Sequence, residues 1–210
     1  MPHTVALSFD DGPNPDATPR LLELLGRHAV AATFFVWGEQ AQRHPDLVRE
    51  LLGAGHRVQP HCWAHVSHWT LAPAAIREDI DAVTALLAAI GAPAATLWRP
   101  PYGHTLAGVT REAAAERGLE LAGWTINPQD YEGNDATSMY GEVTAALAGE
   151  ERSVLLLHDG HRESGPLKRR ADATNTVELV RMLLEDDALA FATLSAGLQQ
   201  CLTDGPPAGT

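Results

Sequence analysis

Residues 5–13 of the chain are Val-Ala-Leu-Ser-Phe-Asp-Asp-Gly-Pro. An apolar run that ends in two acids and Gly-Pro predicts a buried β-strand that stops at a tight turn. Neighbouring residues on a strand point to opposite sides, so we expect Asp10 and Asp11 to have different roles, one as a metal ligand and the other in proton transfer. The alternative is that either acid only caps the following helix or forms an Asx-turn.

Short apolar segments and amphipathic segments alternate along the rest of the chain. We predict strands at about 4–9, 31–36, 56–60, 95–98, 120–125, 153–157 and 190–194, with boundaries that carry errors of a few residues. We predict helices at about 17–28, 39–53, 73–90, 106–117, 137–148 and 174–186. Seven successive β-then-α units imply parallel strands that are covered by helices.

The placement of the polar residues favours an α/β barrel, closed or nearly closed, over an open doubly wound sheet. Chemically capable residues follow strand after strand, whereas an open sheet gathers them at a single switch point. The length of 210 residues is that of one domain. We therefore expect residues 1–200 to form a single domain and residues 201–210, which are rich in Gly and Pro, to be a disordered tail.

The composition is ordinary for a globular protein, but the chain is acidic. The net charge of −12 argues against nucleic acid as a partner, because nucleic acid is bound by a basic face. The two cysteines, Cys62 and Cys201, exclude a disulfide framework. Without a signal-peptide pattern or an apolar run of membrane-spanning length, we expect a cytoplasmic protein with no membrane span, or a secreted one if an export signal has been removed.

Histidines and an arginine follow the later strands. His61 and His65 come after the third strand, and two imidazoles at this spacing can bind one metal ion in a helix or a tight turn; two surface histidines are the alternative. Two prolines after Arg99 hold the Tyr102 amide rigidly, although a structural turn with a surface arginine is the alternative. His158 ends an apolar strand and would face the site at a barrel mouth, unless it is a buried core residue.

Five motifs, taken in order, resemble the signature of a known family. They are Ser-Phe-Asp-Asp-Gly-Pro, His-x-x-x-His, Arg-Pro-Pro-Tyr-Gly, the segment around Asp130, and Leu-Leu-His. From about Thr4 to Leu198 the chain resembles the polysaccharide deacetylase family, the NodB-homology domain of carbohydrate esterase family 4. The resemblance implies a distorted (β/α)7-type barrel with parallel strands, the NodB-homology fold.

The resemblance implies a metal site. Asp11, His61 and His65 would bind one divalent ion, most often zinc, with cobalt or nickel as alternatives. Cys62 stands where the family usually has Ser or Thr, so it would either perturb the support of the metal loop or simply be a small buried residue.

The resemblance also implies catalytic roles. Asp10 would be the general base, and Arg99 would hold and tune it. The Tyr102 amide would contact the oxyanion. His158 would be the general acid that protonates the leaving nitrogen, oriented by Asp130 or by a neighbour of Asp130.

Some residues near these motifs depart from the family pattern or have two interpretations. Asn127 and Tyr131 stand where many members have Asp and Trp, which favours Asp130 as the partner of His158. Several aromatic residues could line a sugar-binding groove or belong to the core: Trp63, Trp69, Trp124 and Tyr131. His68 and His104 are not expected to be ligands.

The expected function is metal-dependent N-deacetylation of amino sugars, such as chitin oligosaccharides or peptidoglycan N-acetylglucosamine. Two other enzymes on the same site remain open, a cytosolic small-molecule amide hydrolase and an acetyl xylan esterase. The partner would be an N-acetylated saccharide or a small acetylated substrate, and the oligomeric state stays open. A non-enzymatic carbohydrate-binding or scaffold protein is disfavoured by the intact set of acids and histidines.

Overall fold

The computed structural model describes residues 2–148, 151–160, 173–194 and 203–204. A strand is present at each of the seven predicted places. In chain order the strands are β1 (His3–Asp10), β2 (Thr33–Trp37), β3 (Arg57–Cys62), β4 (Leu97–Trp98), β5 (His104–Thr105), β6 (Glu120–Leu121), β7 (Arg152–His158), β8 (Leu189–Phe191) and β9 (Thr203–Asp204). The short strands β5 and β9 pair with each other and are not among the predicted ones. Strand β9 falls in the segment predicted to be a tail, whose other residues, including Cys201, lie outside the described residues.

Helices connect the strands. They are α1 (Thr18–Arg27), α2 (Gly38–Arg43), α3 (Pro45–Gly53), α4 (Pro73–Ile90), α5 (Val109–Glu116), α6 (Ala136–Leu147) and α7 (Ala173–Leu184). The single helix predicted at 39–53 is two helices, because Pro45 has no N–H to donate and keeps His44 out of the helical conformation, at φ −129° and ψ 55°. Within the described ranges, every helix is too short or too polar to traverse a bilayer.

All strand pairs in the described residues are parallel. The main sheet has the order β3-β2-β1-β7, and β8 also pairs with β1. In the register of β1, Asp10 is paired with Phe35 on β2 and with His158 on β7. The carboxyl ends of these strands are therefore level, and the residues that follow them meet at one end of the sheet.

The remaining strands continue the sheet with less regular pairing. Strands β4 and β6 pair with each other, and the Arg99 amide donates to the Pro60 carbonyl oxygen at 3.4 Å, which links β4 to β3. The amides of Thr125 and Ile126 both donate to the Val154 carbonyl oxygen, which links the segment after β6 to β7. The prediction of an α/β fold with parallel strands is confirmed. The described strands form one five-stranded sheet and two two-stranded sheets.

The two faces of β1 separate the core from the site. Val5, Leu7 and Phe9 belong to the main hydrophobic cluster, together with residues of the covering helices. Ala6, on the other face, packs in a second cluster with residues of β2, β4 and β7. Asp10 lies on the same face as Ala6, because alternate residues of a strand share a face. The strand thus directs Asp10 away from the main core, toward the face that carries Ala6.

Candidate active site

A cavity of about 370 Å³ opens at the carboxyl ends of the strands. It is lined by six of the eight residues that the sequence assigns to the site: Asp10, Asp11, His61, His65, Tyr102 and His158. The other two, Arg99 and Asp130, lie behind this surface, and each is hydrogen-bonded to a lining residue. The structure therefore brings all eight residues together in one place.

Asp10, at the end of β1, is held from behind by Arg99. Nη1 of Arg99 donates to Oδ1 of Asp10 at 2.7 Å and to Oγ of Ser8 at 2.9 Å. Nε and Nη2 donate to the carbonyl oxygens of Ala122 and Gly123, at 3.2 and 2.8 Å. Burial lowers the pKa of the guanidinium, and the charge of Asp10 acts against this effect. Because each guanidinium nitrogen has a partner, Arg99 is fixed and fixes the Asp10 carboxylate in turn.

Asp11 is outside the strand, which corrects the expectation that strand alternation separates the two acids. Its backbone is left-handed, with φ at 71°, and its side chain faces the same cavity as that of Asp10. The turn requires glycine in two places. A Cβ on Gly12 would come within 2.2 Å of the Asp159 carboxylate, and one on Gly160 within 2.1 Å of the Asp11 carbonyl oxygen. A chain reversal, not the pleat, gives the two acids their different positions.

His61 and His65 lie on a tight turn at the end of β3. Their Nε2 atoms are 3.3 and 3.1 Å from Oδ1 of Asp11. Nδ1 of His61 lies 2.7 Å from the Arg99 carbonyl oxygen. Because a carbonyl oxygen only accepts, this contact places the proton of neutral His61 on Nδ1 and leaves the lone pair of Nε2 directed at Asp11.

Asp11, His61 and His65 form a group that could hold a metal ion, with ligand atoms that all lie within 4.8 Å of one another. Oδ1 of Asp11 is buried and accepts no hydrogen bond from the described residues. Burial would raise the pKa of Asp11, but the two imidazoles hold it well below its usual range. Acceptor atoms that face one another in a buried space fit a divalent cation between them. Neither His68 nor His104 belongs to this group, as predicted.

His158 and Asp130 form a second unit on the opposite side of the cavity. Nδ1 of His158 donates to Oδ1 of Asp130 at 2.8 Å, and the His158 amide donates to Oδ2 at 2.8 Å. Oδ2 also accepts a hydrogen bond from the hydroxyl of Thr176 at 2.9 Å. Burial lowers the pKa of His158, but the charge of Asp130, with those of Asp11 and Asp10, raises it to about 9. His158 is therefore protonated at neutral pH.

Tyr102 has a strained backbone at the edge of the cavity. Its φ of 60° and ψ of 6° lie in the left-handed region, which a residue other than glycine rarely adopts. Pro100 and Pro101 precede it, and the Gly103 amide closes the turn onto the Pro100 carbonyl oxygen at 2.9 Å. The Tyr102 ring meets the edge of His65, with 4.5 Å between ring centres. The stiff loop predicted from the two prolines is thus directed at the metal-binding residues.

The aromatic residues divide between the cavity and its surroundings. Trp124 and Tyr131 line the cavity. Trp63 and Trp69 are half-buried and are not part of its lining. His104 does line the cavity, with its ring stacked on Trp69 at 3.4 Å between centres. Only two of the four candidates therefore face the space where a sugar could bind.

The chain matches the family model for polysaccharide deacetylases over residues 1–122. A chitooligosaccharide deacetylase of Bradyrhizobium sp. (strain ANU 289) is 33% identical to it over 181 residues, which are 86% of this chain and 81% of that protein. The chain belongs to the polysaccharide deacetylase family. The family predicted from the five motifs is thus confirmed.

Other polysaccharide deacetylases share the fold or contain it as one part. The peptidoglycan-N-acetylmuramic acid deacetylase PdaC of Bacillus subtilis (strain 168) is 31% identical over 191 residues, which are 91% of this chain but 38% of that protein. The structure of a family 4 carbohydrate esterase from Streptomyces lividans in complex with acetate superimposes with a TM-score of 0.78 at 28% identity, covering 92% of this chain and 93% of that one. Most of the chain thus corresponds to a part of PdaC.

The departures from the family pattern have local explanations. Cys62 is completely buried, and burial, helped by the charge of Asp79, raises the pKa of its thiol well above the usual range. This makes Cys62 an unreactive buried residue. Oδ1 of Asn127 accepts a hydrogen bond from the Gln129 amide at 2.9 Å, so Asn127 shapes its own loop. Asp130 is the partner of His158, as the departures suggested.

Three polar residues of this polysaccharide deacetylase support the site and are absent from the sequence-based set. Ser8 accepts from Arg99, and its hydroxyl donates to the Leu155 carbonyl oxygen at 2.8 Å. Asp159 is buried and accepts from the Thr18 hydroxyl at 2.6 Å; burial, with the charges of Asp11 and Asp10, raises its pKa to about 7. Asp79 is the third. Ser8 and Asp159 have a signal in the sequence, since Ser8 shares a strand face with Asp10 and Asp159 follows His158.

Proposed function

We propose that this chain is a metal-dependent deacetylase that hydrolyses the N-acetyl group of amino sugars, in chitin oligosaccharides or in peptidoglycan N-acetylglucosamine. The observation that carries the proposal is the arrangement around one cavity of a three-residue ligand group, a fixed carboxylate, and a histidine that is hydrogen-bonded to a second carboxylate. The polysaccharide deacetylases to which the chain is similar support the reaction class.

We propose zinc as the ion held by Asp11, His61 and His65, with cobalt and nickel as alternatives. Two imidazole nitrogens and one carboxylate oxygen form a ligand set that zinc accepts in catalytic sites, where a coordination position stays open. When bound, the ion supplies Lewis-acid polarisation of the acetyl carbonyl and lowers the pKa of water.

Asp10 is proposed as the general base. Its Oδ1 is engaged by Arg99 at 2.7 Å, so the carboxylate keeps one orientation and its other oxygen is the one that takes a proton from the attacking water. The Arg99 charge compensates the buried negative charge, which would otherwise be costly at this depth. Arg99 acts through Asp10 and is a positioning residue.

The Tyr102 amide is proposed as a donor to the oxyanion. The Tyr102 residue has a left-handed backbone, and its ring packs against His65 on the metal side of the cavity. A donor that is fixed before the reaction costs no reorganisation when negative charge develops on the carbonyl oxygen.

His158 is proposed as the general acid. Asp130 holds its Nδ1, which leaves Nε2 to donate a proton to the departing amine. The pKa of about 9 keeps the imidazole protonated at neutral pH, and an amine leaves only when it is protonated. Hydrolysis of an ester would depend less on His158 and Asp130, because an alkoxide has less need of a proton to leave than an amine has.

The lining of the cavity supports an uncharged saccharide as substrate. Asp10, Asp11 and Glu132 are among the described residues that line it, whereas Lys and Arg are not. Two exposed tyrosines, Tyr102 and Tyr131, contribute to the lining and offer ring faces on which a sugar can stack. We also propose that residues 1–200 form a single domain around this site.

The test is acetate release from a panel of substrates. We expect release from N-acetylglucosamine tetramer, loss of activity on treatment with a chelator, and recovery when zinc or cobalt is added. Preference for acetyl xylan would favour the esterase, and preference for small acetylated amides would favour a small-molecule hydrolase. If the metal-loaded protein released no acetate from any substrate of the panel, the proposal would be wrong.

A further inference from the structure

The turn between the two histidine ligands is held by a residue outside the motifs. Between His61 and His65, the backbone leaves β3 and reverses within four residues, and the Val66 amide donates to the Ala64 carbonyl oxygen at 2.6 Å. The position of the His65 imidazole relative to His61 therefore depends on what fixes residues 62–64.

Asp79, on helix α4, is bonded to this turn through both of its carboxylate oxygens. Oδ2 accepts from the Trp63 amide at 2.8 Å, and Oδ1 accepts from the Ala64 amide at 3.1 Å. A single carboxylate thus binds two consecutive backbone N–H groups, an arrangement that fixes both the position and the direction of the peptide between them.

Helix α2 holds the same turn from another side. The Glu39 amide donates to the Trp63 carbonyl oxygen at 3.4 Å. The Trp63 side chain packs on Gly38 so closely that a Cβ there would lie 2.8 Å from the indole ring. The turn is therefore confined between the start of α2 and one face of α4, and Asp79 supplies the charged contact.

We propose that Asp79 is a positioning residue for the metal site, because it sets the geometry of the His61–His65 turn and so the separation of the two imidazoles. The inference rests on the proposed metal site of Asp11, His61 and His65. Asp79 does not itself belong to the group of ligand atoms. Its removal would leave two amides of a half-buried turn without their acceptor and would let the turn relax.

The experiment is a titration with zinc alone, in competition with a chromophoric chelator, on the full chain. We expect Asp79→Ala to weaken zinc binding by about 10–100-fold, as is typical when a residue that orients a ligand is removed. Asp79→Asn keeps the shape but has only one acceptor oxygen, so its zinc Kd should lie between those of wild type and Asp79→Ala. If Asp79→Ala does not fold, Asp79→Asn provides the test.

Glu78→Ala is the matched control, because it removes an acidic side chain from the adjacent position of α4. Glu78 is exposed, and its side chain makes no hydrogen bond within the described part of the chain. We expect its zinc Kd to stay within about twofold of wild type. An equal loss of affinity in Glu78→Ala and Asp79→Ala would overturn the inference, because it would show an effect of net charge alone.

The Tm of the metal-free proteins separates positioning from stability. A residue that only stabilises the fold would lower this Tm and leave the zinc Kd unchanged, which would overturn the role proposed for Asp79. If wild type and both Asp79 variants bind zinc equally, the inference fails while the proposed function stands. If wild type binds neither zinc nor cobalt nor nickel, the proposed metal site is wrong, and the role proposed for Asp79 is wrong with it.

Discussion

The two sides of the cavity differ in how completely their polar groups are paired. On the acid side, formed by Asp130, His158 and Thr176, both oxygens of Asp130 accept hydrogen bonds. On the metal side, formed by Asp11, His61 and His65, Oδ1 of Asp11 is buried and accepts none from the described residues. The acid side is complete as a hydrogen-bonded unit, whereas the metal side has a place for a cation.

The difference has a physical consequence for how each side tolerates change. Removing one member of a satisfied unit leaves another buried group without its partner, which costs stability as well as function. Removing a metal ligand instead relieves the crowding of acceptor atoms and costs metal affinity.

The metal side should lose its function entirely when one ligand is removed. Asp11→Ala, His61→Ala and His65→Ala should each abolish acetate release and lower the bound metal, because a site with three protein ligands has none to spare. Metal content by elemental analysis and acetate release check this. His104→Ala, which removes a lining histidine outside the ligand group, should retain its metal. Full activity in metal-stripped protein would contradict the assignment.

Replacing each of the two adjacent acids by its amide should have different effects on metal content and on kcat. Asp10→Asn should keep the metal and the fold but lose about 10²–10⁴ in kcat, the contribution typical of a general base. Asp11→Asn should instead lose metal. Metal content and kcat, measured on the same preparations, decide the matter. If both variants kept metal equally and both stayed active, the division of roles between Asp10 and Asp11 would be wrong.

The acid side should matter more for amides than for esters. His158→Ala should depress N-deacetylation at least about tenfold more than hydrolysis of 4-nitrophenyl acetate, because an activated phenolate leaves without a proton. The ratio of the two losses is the measurement, and the melting curve of the variant shows whether it is folded. Parallel losses on both substrates in a folded variant would remove His158 from the acid role and leave the metal assignment intact.

The smallest expected change is a shift of the pH profile. His158 must be protonated to act as an acid, so activity should be lost as the pH rises through its pKa, which Asp130 raises. Asp130→Asn removes that negative charge and should move the basic limb of kcat to lower pH, by about one to three units.

Thr176→Val provides the control for this shift, since it removes one hydrogen bond to Asp130 and keeps the carboxylate charge. We expect its basic limb to move less than that of Asp130→Asn. If the basic limb of kcat lies at the same pH in wild type and in Asp130→Asn, a group other than His158 controls that limb.

The sequence was sufficient for the strands and for the membership of the site. Apolar runs bounded by turn residues located seven strands, and the residues just after them proved to face one cavity, because carboxyl ends of parallel strands lie at the same end of the sheet. The division of the predicted helix at 39–53 into two helices could also have been predicted, since a proline such as Pro45 interrupts a continuous helix. These features depend on residues that are near one another in the chain.

Contacts between distant residues do not follow from local patterns, although the resemblance to the family implied that Arg99 holds Asp10. Asp10 and Arg99 are 89 residues apart, and Thr18 and Asp159 are 141 apart. The helical period places Asp79, three residues after Ile76 and four before Val83, on the buried side of α4, but it does not show that its carboxylate reaches the turn between the histidines.

Local patterns in the sequence therefore located seven of the strands and the acids and histidines that follow them, because periodicity and turn chemistry act over a few residues. The tertiary structure was needed to show that Asp11 leaves the strand with a left-handed backbone, that Thr18 binds Asp159, and that Asp79 supports the metal side. The physical reason is that a carboxylate accepts a hydrogen bond from any donor that the fold brings within about 3 Å, and distance in space is not encoded in neighbouring residues.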